Sequence, residues 1–329
     1  MAEGKEVRNG KAFEYAIAKA YYNYIRQKSV NVTFVENDAR VKPEQYYNEK
    51  SSKEQLRFDN AANETIDTLV RIEPGLLAQA KDSEMLYIYL QKDQEGENGD
   101  VRDVKFIRPD QKWEIGFSAK NNNDDVKHNR LSDSIDFGTK WNLGEKCSQQ
   151  YWDSVNPIFS LIRKLKQQNP LLSWEDIGRE KKVEEFYKPL LAAFRNEILR
   201  IYKNNPDVPA KLISYLIGDY SFYKIIKDDV HNMVIVKAFN INGELNKTVN
   251  KKQSQYKTPK IMLPSRIIEF EIDPRHPKDT LVMVLDEGWQ VSFRIHSADN
   301  PIVPSFKFAV RLIGNPPVLF TQHIFQKNI

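Results

Sequence analysis

Two side chains in one short stretch, Asp103 and Lys120, are the types and spacing that could cut a phosphodiester. They lie in GDVRDVKFIRPDQKWEIGFSAKNNNDDVKHNR, residues 99–130, which reads as an acid-bearing strand, a short turn and a second strand ending in lysine. In metal-assisted cleavage the acid binds Mg²⁺, and the lysine orients water or stabilises the charge that develops on phosphorus. In the second strand Trp113, Ile115, Phe117 and Ala119 alternate with Glu114, Gly116, Ser118 and Lys120. Strand side chains alternate faces, so the first set can enter a core while the second lines a site. Asp100, one residue after a glycine, is a further candidate ligand at the strand entrance. Its plain reading is a turn or edge residue.

Ser118 breaks the pattern. A nuclease hairpin of the Asp…(Asp/Glu)-x-Lys type sets an acid two residues before the lysine, on the same face; here the tripeptide is Ser-Ala-Lys. A hydroxyl is a poor replacement for a carboxylate on a hard cation. Glu114 shares the face, but six residues at ~3.3 Å each put it roughly 20 Å from Lys120. Three sources could complete the site: a water held through Ser118, Glu114 acting nearer Asp103, or an acid from the preceding helix, where Glu54 and Glu64 stand. Otherwise Glu114 is a surface partner of Lys112 or Arg108, of small energetic weight.

Asn121, Asn122, Lys127, His128 and Arg130 follow directly, in what reads as a polar loop. Amide, lysine and arginine side chains contact base edges and phosphates, so this segment is a candidate DNA contact. A lone histidine is more often structural, but the Lys-His-Asn-Arg context favours a phosphate role. Near the C-terminus, GWQVSFRIHSADNPIVPSFKF places Gln290, Ser292, Arg294 and His296 on one strand face. An ordinary polar outer face explains that pattern; a DNA-reading face is the sharper alternative.

Positioning these groups requires strands flanked by helices. Residues 10–28 have the helical spacing of Phe13, Ala16, Ile17, Ala20, Tyr21 and Ile25. A second helix starts at Ser51 or Ser52 and stops near Pro74; strands are expected at 85–91, 101–108 and 112–120. The middle reads as helical: Ser148–Leu165 with Pro157 inside, a long helix opened by a capping box at Ser173–Asp176 and ending near Lys203, and another over Ala210–Lys227. From His231 the pattern is β. The expected fold is mixed α/β with a helical middle and a β-rich C-terminal part, divided as 1–228 and 229–329 or packed as one body.

Composition narrows the class. The chain has 329 residues, a formal net charge of +4 and one cysteine, Cys147. Residues 251–329 hold 11 Lys or Arg against 7 Asp or Glu, so the excess of positive charge lies there. One cysteine excludes an intrachain disulfide and suits a reducing bacterial cytoplasm. No apolar run suggests a signal peptide or a membrane span. GxGxxG, P-loop, GxSxG and HExxH patterns are all missing from the sequence.

The runs GDVRDV, WEIGFSAKNN, VKHNRLS, DFGTKW, GWQVSFRIHSA and PSFKF resemble the HaeIII-like type II restriction endonucleases. The likeness runs in order from about residue 80 to the C-terminus. It implies a PD-(D/E)xK-type nuclease core, Mg²⁺ as cofactor and double-stranded DNA cut at GG^CC to blunt ends. It also implies a cognate cytosine methyltransferase as functional partner, and it sets the family's site on Asp103 and Lys120. A palindromic site calls for a homodimer. The competing readings are a repair or structure-specific nuclease on the same core, and a DNA-binding module without catalysis, which the serine at 118 would suit.

Overall fold

The computed structural model describes residues 4–326 except 80, 82, 123, 298 and 299; the side chains of 97, 98, 127 and 128 also lie outside the description. The chain forms two compact units, each with its own sheet. The first comprises Met1–Asp124, Gly218–Ile261 and Val318–Ile329, the second Asp125–Ile217 and Met262–Pro317. The division expected near residue 229 falls inside the first unit. The strands on either side of it are hydrogen-bonded to each other, and their shared ladder holds the two segments in one body.

The first unit has helices α1 (Lys5–Gln27), α2 (Asp38–Asn48) and α3 (Ser52–Ile72). Its strands are β1 (Val32–Phe34), β2 (Leu86–Leu90), β3 (Val104–Arg108), β4 (Trp113–Asn121), β6 (Phe222–Asp228), β7 (Met233–Phe239) and β12 (Phe320–Phe325), which lie side by side in that order. Helix α1 covers one face. Its Tyr21 ring meets Phe106 and Phe117 edge-on, and Phe117 meets Tyr223. These aromatic contacts bury the odd-numbered side of β4, as its alternation predicts. Ser51 and Glu54 cap α3 reciprocally, so Glu54 serves the helix start.

The second unit contains β5 (Asp125–Leu131), β8 (Ile267–Ile272), β9 (Thr280–Leu285), β10 (Gln290–Ser297) and β11 (Phe306–Gly314), in the sheet order β5-β11-β10-β9-β8. Its helices are α4 (Phe137–Lys140), α5 (Gln149–Gln168), α6 (Trp174–Ile177), α7 (Arg179–Lys182), α8 (Lys188–Asn204) and α9 (Val208–Ile217). Phe194 of α8 packs on Phe270, Phe293 and Phe308, which are the inward residues of three strands.

Several expectations are corrected. The polar loop after Lys120 is strand β5 from Asp125, because β11 offers it a full antiparallel ladder. The helix expected over Ala210–Lys227 stops at Ile217. Gly218 adopts φ +86°, a left-handed conformation that ends helices, and FYKIIKD then continues as β6 between β4 and β7. The capping box at Ser173 opens only the four residues of α6, because Gly178 at φ +84° breaks the chain before α7. Strand β1 and helix α2 were not anticipated.

Candidate active site

Strand β4 runs through the middle of the larger sheet, with β3 antiparallel on one side and β6 parallel on the other. Asp103 immediately precedes β3, and its amide donates to the Phe117 carbonyl at 2.8 Å. Its Oδ2 accepts from the Ala119 amide at 2.8 Å and from Ser118 Oγ at 3.2 Å. The serine that replaces an acid therefore grips the acid opposite. A carboxylate at 118 would face Asp103 with like charge and no proton to donate. Lys120 lies two residues on, at the half-buried end of the strand, with no ion pair among the described residues. Below it on β6, burial pulls Lys224 down to about 8 despite its pair with Asp124, and the Lys120 charge pushes the same way.

The acid that sequence reading passed over is Glu14 of α1. It is buried, and Lys11 donates to it at 3.0 Å. Burial, then the Asp103 charge, pushes its carboxyl up to about 8 against the opposing pull of Lys11. Burial works against the charge on Lys11, but Glu14, Asp103 and Asp93 outweigh it and hold the ammonium above the usual lysine range. Glu14, Asp103, Asp93 and the half-buried Lys11 thus share one electrostatic neighbourhood. The signal in the sequence was an acid set between Phe13 and Tyr15, inside the apolar stripe of an amphipathic helix.

This donor set suits a hard divalent ion. Such an ion takes one or two carboxylates and fills its remaining positions with water and substrate phosphate, not with a full protein cage. Among the described residues no group of three or more His, Cys, Asp or Glu forms such a cage. Asn121 alternates onto the face that α1 covers, and its Oδ1 is buried without a hydrogen-bond partner. An orphaned acceptor beyond Asp103 and Glu14 is what a missing cation or its water would satisfy.

The other acids are committed elsewhere. Asp100 takes Arg102 in two hydrogen bonds of 2.7 Å, and Glu114 pairs with the same guanidinium at 2.7 Å. Arg102 lies over Gly116, where a Cβ would stand 2.2 Å from its side chain. This network borders a cavity of about 630 Å³ that also includes Lys105, Tyr89 and Tyr220. It occupies the start of β4, away from Lys120. Glu64, on α3, makes none of the contacts described around Asp103. Asn122 holds the turn after β4: at φ +55° it donates to Asp229 at 2.7 Å and accepts the Asp229 amide at 2.8 Å.

The remaining candidates gather in the second unit. Register sets His296 beside Lys307 and Lys307 beside Arg130; one step along, Arg294 pairs with Ala309 and Ala309 with His128. The two stretches, 160 residues apart in sequence, therefore share one sheet face. Arg130 donates to Ser305 Oγ at 3.2 Å, His296 Nδ1 lies 3.0 Å from the Ser297 carbonyl, and Gln290 is exposed beside Gly314. Lys127 and His128 are on β5, but their side chains lie outside the description.

A mixed α/β body with an acid and a lysine converging on adjacent strands fits the class of site-specific DNA nucleases. The HaeIII restriction endonuclease family model matches residues 10–316, and the chain belongs to that family. It is 35% identical to the type II restriction enzyme HaeIII of Haemophilus aegyptius over 312 residues, 94% of this chain and 95% of that one. No solved structure matches. The protein is a type II restriction endonuclease, a phosphodiesterase acting on DNA, and enzymes of this class use a divalent metal. No helix among the described residues is long and apolar enough to cross a membrane.

Proposed function

We propose that this enzyme uses Mg²⁺ to cut double-stranded DNA at GG^CC, leaving blunt ends. We further propose that it acts as a homodimer on the palindrome, on a PD-(D/E)xK-type core, with a cognate cytosine methyltransferase protecting host sites. The observation that carries the catalytic part is the clasp of Ser118 Oγ and the Ala119 amide on Asp103, beside buried Glu14 and two residues before Lys120. Asp103 and Glu14 would hold the metal, which supplies Lewis acidity and a more acidic bound water. Ser118 fixes the Asp103 carboxylate. Lys120 orients the attacking water and faces the charge that develops on the phosphoryl oxygens. Asn121 and Asn122 shape the strand end that carries the lysine. Arg130, Gln290, Arg294 and His296, with Lys127 and His128, contact the duplex.

The test is direct. Purified protein is incubated with unmethylated plasmid and MgCl₂, and the fragment ends are sequenced. Blunt ends within GGCC are expected, with a plasmid methylated at those cytosines left intact. Ends at another sequence, or random degradation, would refute the specificity.

A further inference from the structure

We propose that Arg294 and Arg311 are the guanine-reading residues of this enzyme, one for each guanine of a GGCC half-site. The inference rests on the GGCC reading above and deepens it.

The outer face of the five-stranded sheet is concave where small side chains form its floor. Thr280, Ser292 and Ala309 occupy that floor, and Arg179, Arg275, Arg294 and Arg311 rim a hollow of about 470 Å³. The register places Arg294 opposite Ala309 and Arg311 opposite Ser292 on adjacent antiparallel strands. The two arginines are therefore diagonal neighbours, with backbones roughly 7–8 Å apart. Long side chains starting that far apart can close on neighbouring base pairs, which are stacked roughly 3.4 Å apart.

The electrostatics fit a base reader better than a structural ion pair. Arg294 Nε faces Asp279 at 3.6 Å, and Arg311 Nε donates to Asp125. Each carboxylate engages the Nε edge, and the terminal nitrogens make no hydrogen bond among the described residues. The side chains stay 62% and 56% exposed. A guanidinium held on one edge and free on the other is pre-oriented for a planar pair of acceptors, and guanine O6 and N7 are such a pair. Arg275 differs, because Asp273 accepts from both its Nε at 3.2 Å and a terminal nitrogen at 3.4 Å. Duplex DNA is the occupant this surface suits: arginines outnumber the carboxylates that hold them, and the lining is polar apart from Ala309 and Ile313.

The experiment pairs protein and base changes. Binding of a duplex carrying one GGCC site is measured by fluorescence anisotropy with Ca²⁺ replacing Mg²⁺. Each guanine in turn is replaced by 7-deazaguanine, which lacks the N7 acceptor. Wild-type affinity should fall roughly tenfold to a hundredfold at either position. Arg294→Ala and Arg311→Ala should each lose a similar factor on the unmodified duplex, and each should become indifferent to the modification at one guanine. Circular dichroism and a thermal melt confirm that each variant is folded. The proposal is overturned if folded alanine variants bind unmodified GGCC like wild type. It is equally overturned if they stay sensitive at both guanines. A wild type with no preference for GGCC over a scrambled duplex would refute the underlying specificity instead, and this assignment with it.

Discussion

The two ends of β4 carry the same kinds of side chain under opposite electrostatic conditions. At the start of the strand, Asp100 and Glu114 close around Arg102, with Lys105 at 3.7 Å from Glu114, so positive charge balances negative. Arg102 outweighs the effect of burial on Asp100 and holds that carboxyl below the usual aspartate range. At the far end, Lys11 pairs with Glu14 and Asp93, and burial with the Asp103 charge pushes Glu14 up instead. A satisfied network stabilises the fold and leaves nothing for a ligand to do. Crowding acids in one buried place is costly, so Glu14 is raised, beside a Lys120 that makes no ion pair among the described residues. Acids and bases together therefore do not mark the site. The proposed site rests instead on a perturbed carboxyl beside a lysine without an ion pair among the described residues.

The comparison breaks most sharply at Asp103 and Lys120. Lys120→Ala should lower cleavage on the order of 10²–10³-fold, the usual cost of removing one donor to developing charge. Asp103→Asn should cost at least as much, because the proposed metal site would lose the less buried of its two carboxylates. Duplex binding without metal should persist in both variants. Cleavage within a few-fold of wild type in either would remove that end of β4 from the chemistry.

Glu14 gives the next effect, and its sign is fixed by linkage. A native carboxyl raised from its ordinary value to about 8 keeps its proton while the unfolded chain releases one. Its contribution to stability is therefore complete below about pH 4.5 and is lost as pH rises through about 8. Glu14→Gln should flatten that decline, read as melting temperature from pH 5 to 9. In the wild type, Mg²⁺ binding at pH 7 should release a proton, measurable by calorimetry in buffers of different ionisation enthalpy. The variant should lose the release and roughly tenfold to a hundredfold in cleavage. Unchanged proton release would place the metal away from Glu14.

Ser118→Ala separates holding an acid from being one. The hydroxyl gives Asp103 one hydrogen bond of two, a contribution of about 1 kcal/mol, so cleavage should fall roughly fivefold to tenfold. The Mg²⁺ concentration needed for half-maximal rate should rise alongside. A loss as deep as that of Asp103→Asn would mean that the serine does more than orient its neighbour.

The sequence disclosed local chemistry better than it disclosed partners. Alternation along residues 113–120 predicted which side of β4 packs into the core, because a period of two survives any tertiary context. It could not show that Arg102 would neutralise Glu114 and Asp100, since that network depends on register across the hairpin. Glu14 was hidden for a related reason: a helix pattern tells which residues face inward, but not what they face. The mistaken helix over 218–227 shows the limit of propensity. FYKII is permissive, and the slot between β4 and β7 decided its conformation. In the second unit, Arg294 was legible as part of a polar strand face. Its pairing with the Arg311 strand and with β5 appeared only in the sheet order.

The smallest expected effect completes the comparison. Glu114 is 38% exposed, its partner Arg102 also holds Asp100, and solvent screens what remains of the pair. Glu114→Gln keeps an acceptor near Arg102 and removes only charge. Stability should change by less than about 1 kcal/mol, and cleavage should stay within about twofold at saturating Mg²⁺. Arg102→Ala is the matching control. It leaves a buried Asp100 with only Lys105 at 4.0 Å, so stability should drop by about 3 kcal/mol while Asp103 keeps its own hydrogen bonds. If Glu114→Gln cut as poorly as Glu14→Gln while melting normally, the functional acid would lie at the start of β4, and the contrast between its two ends would have to be reversed.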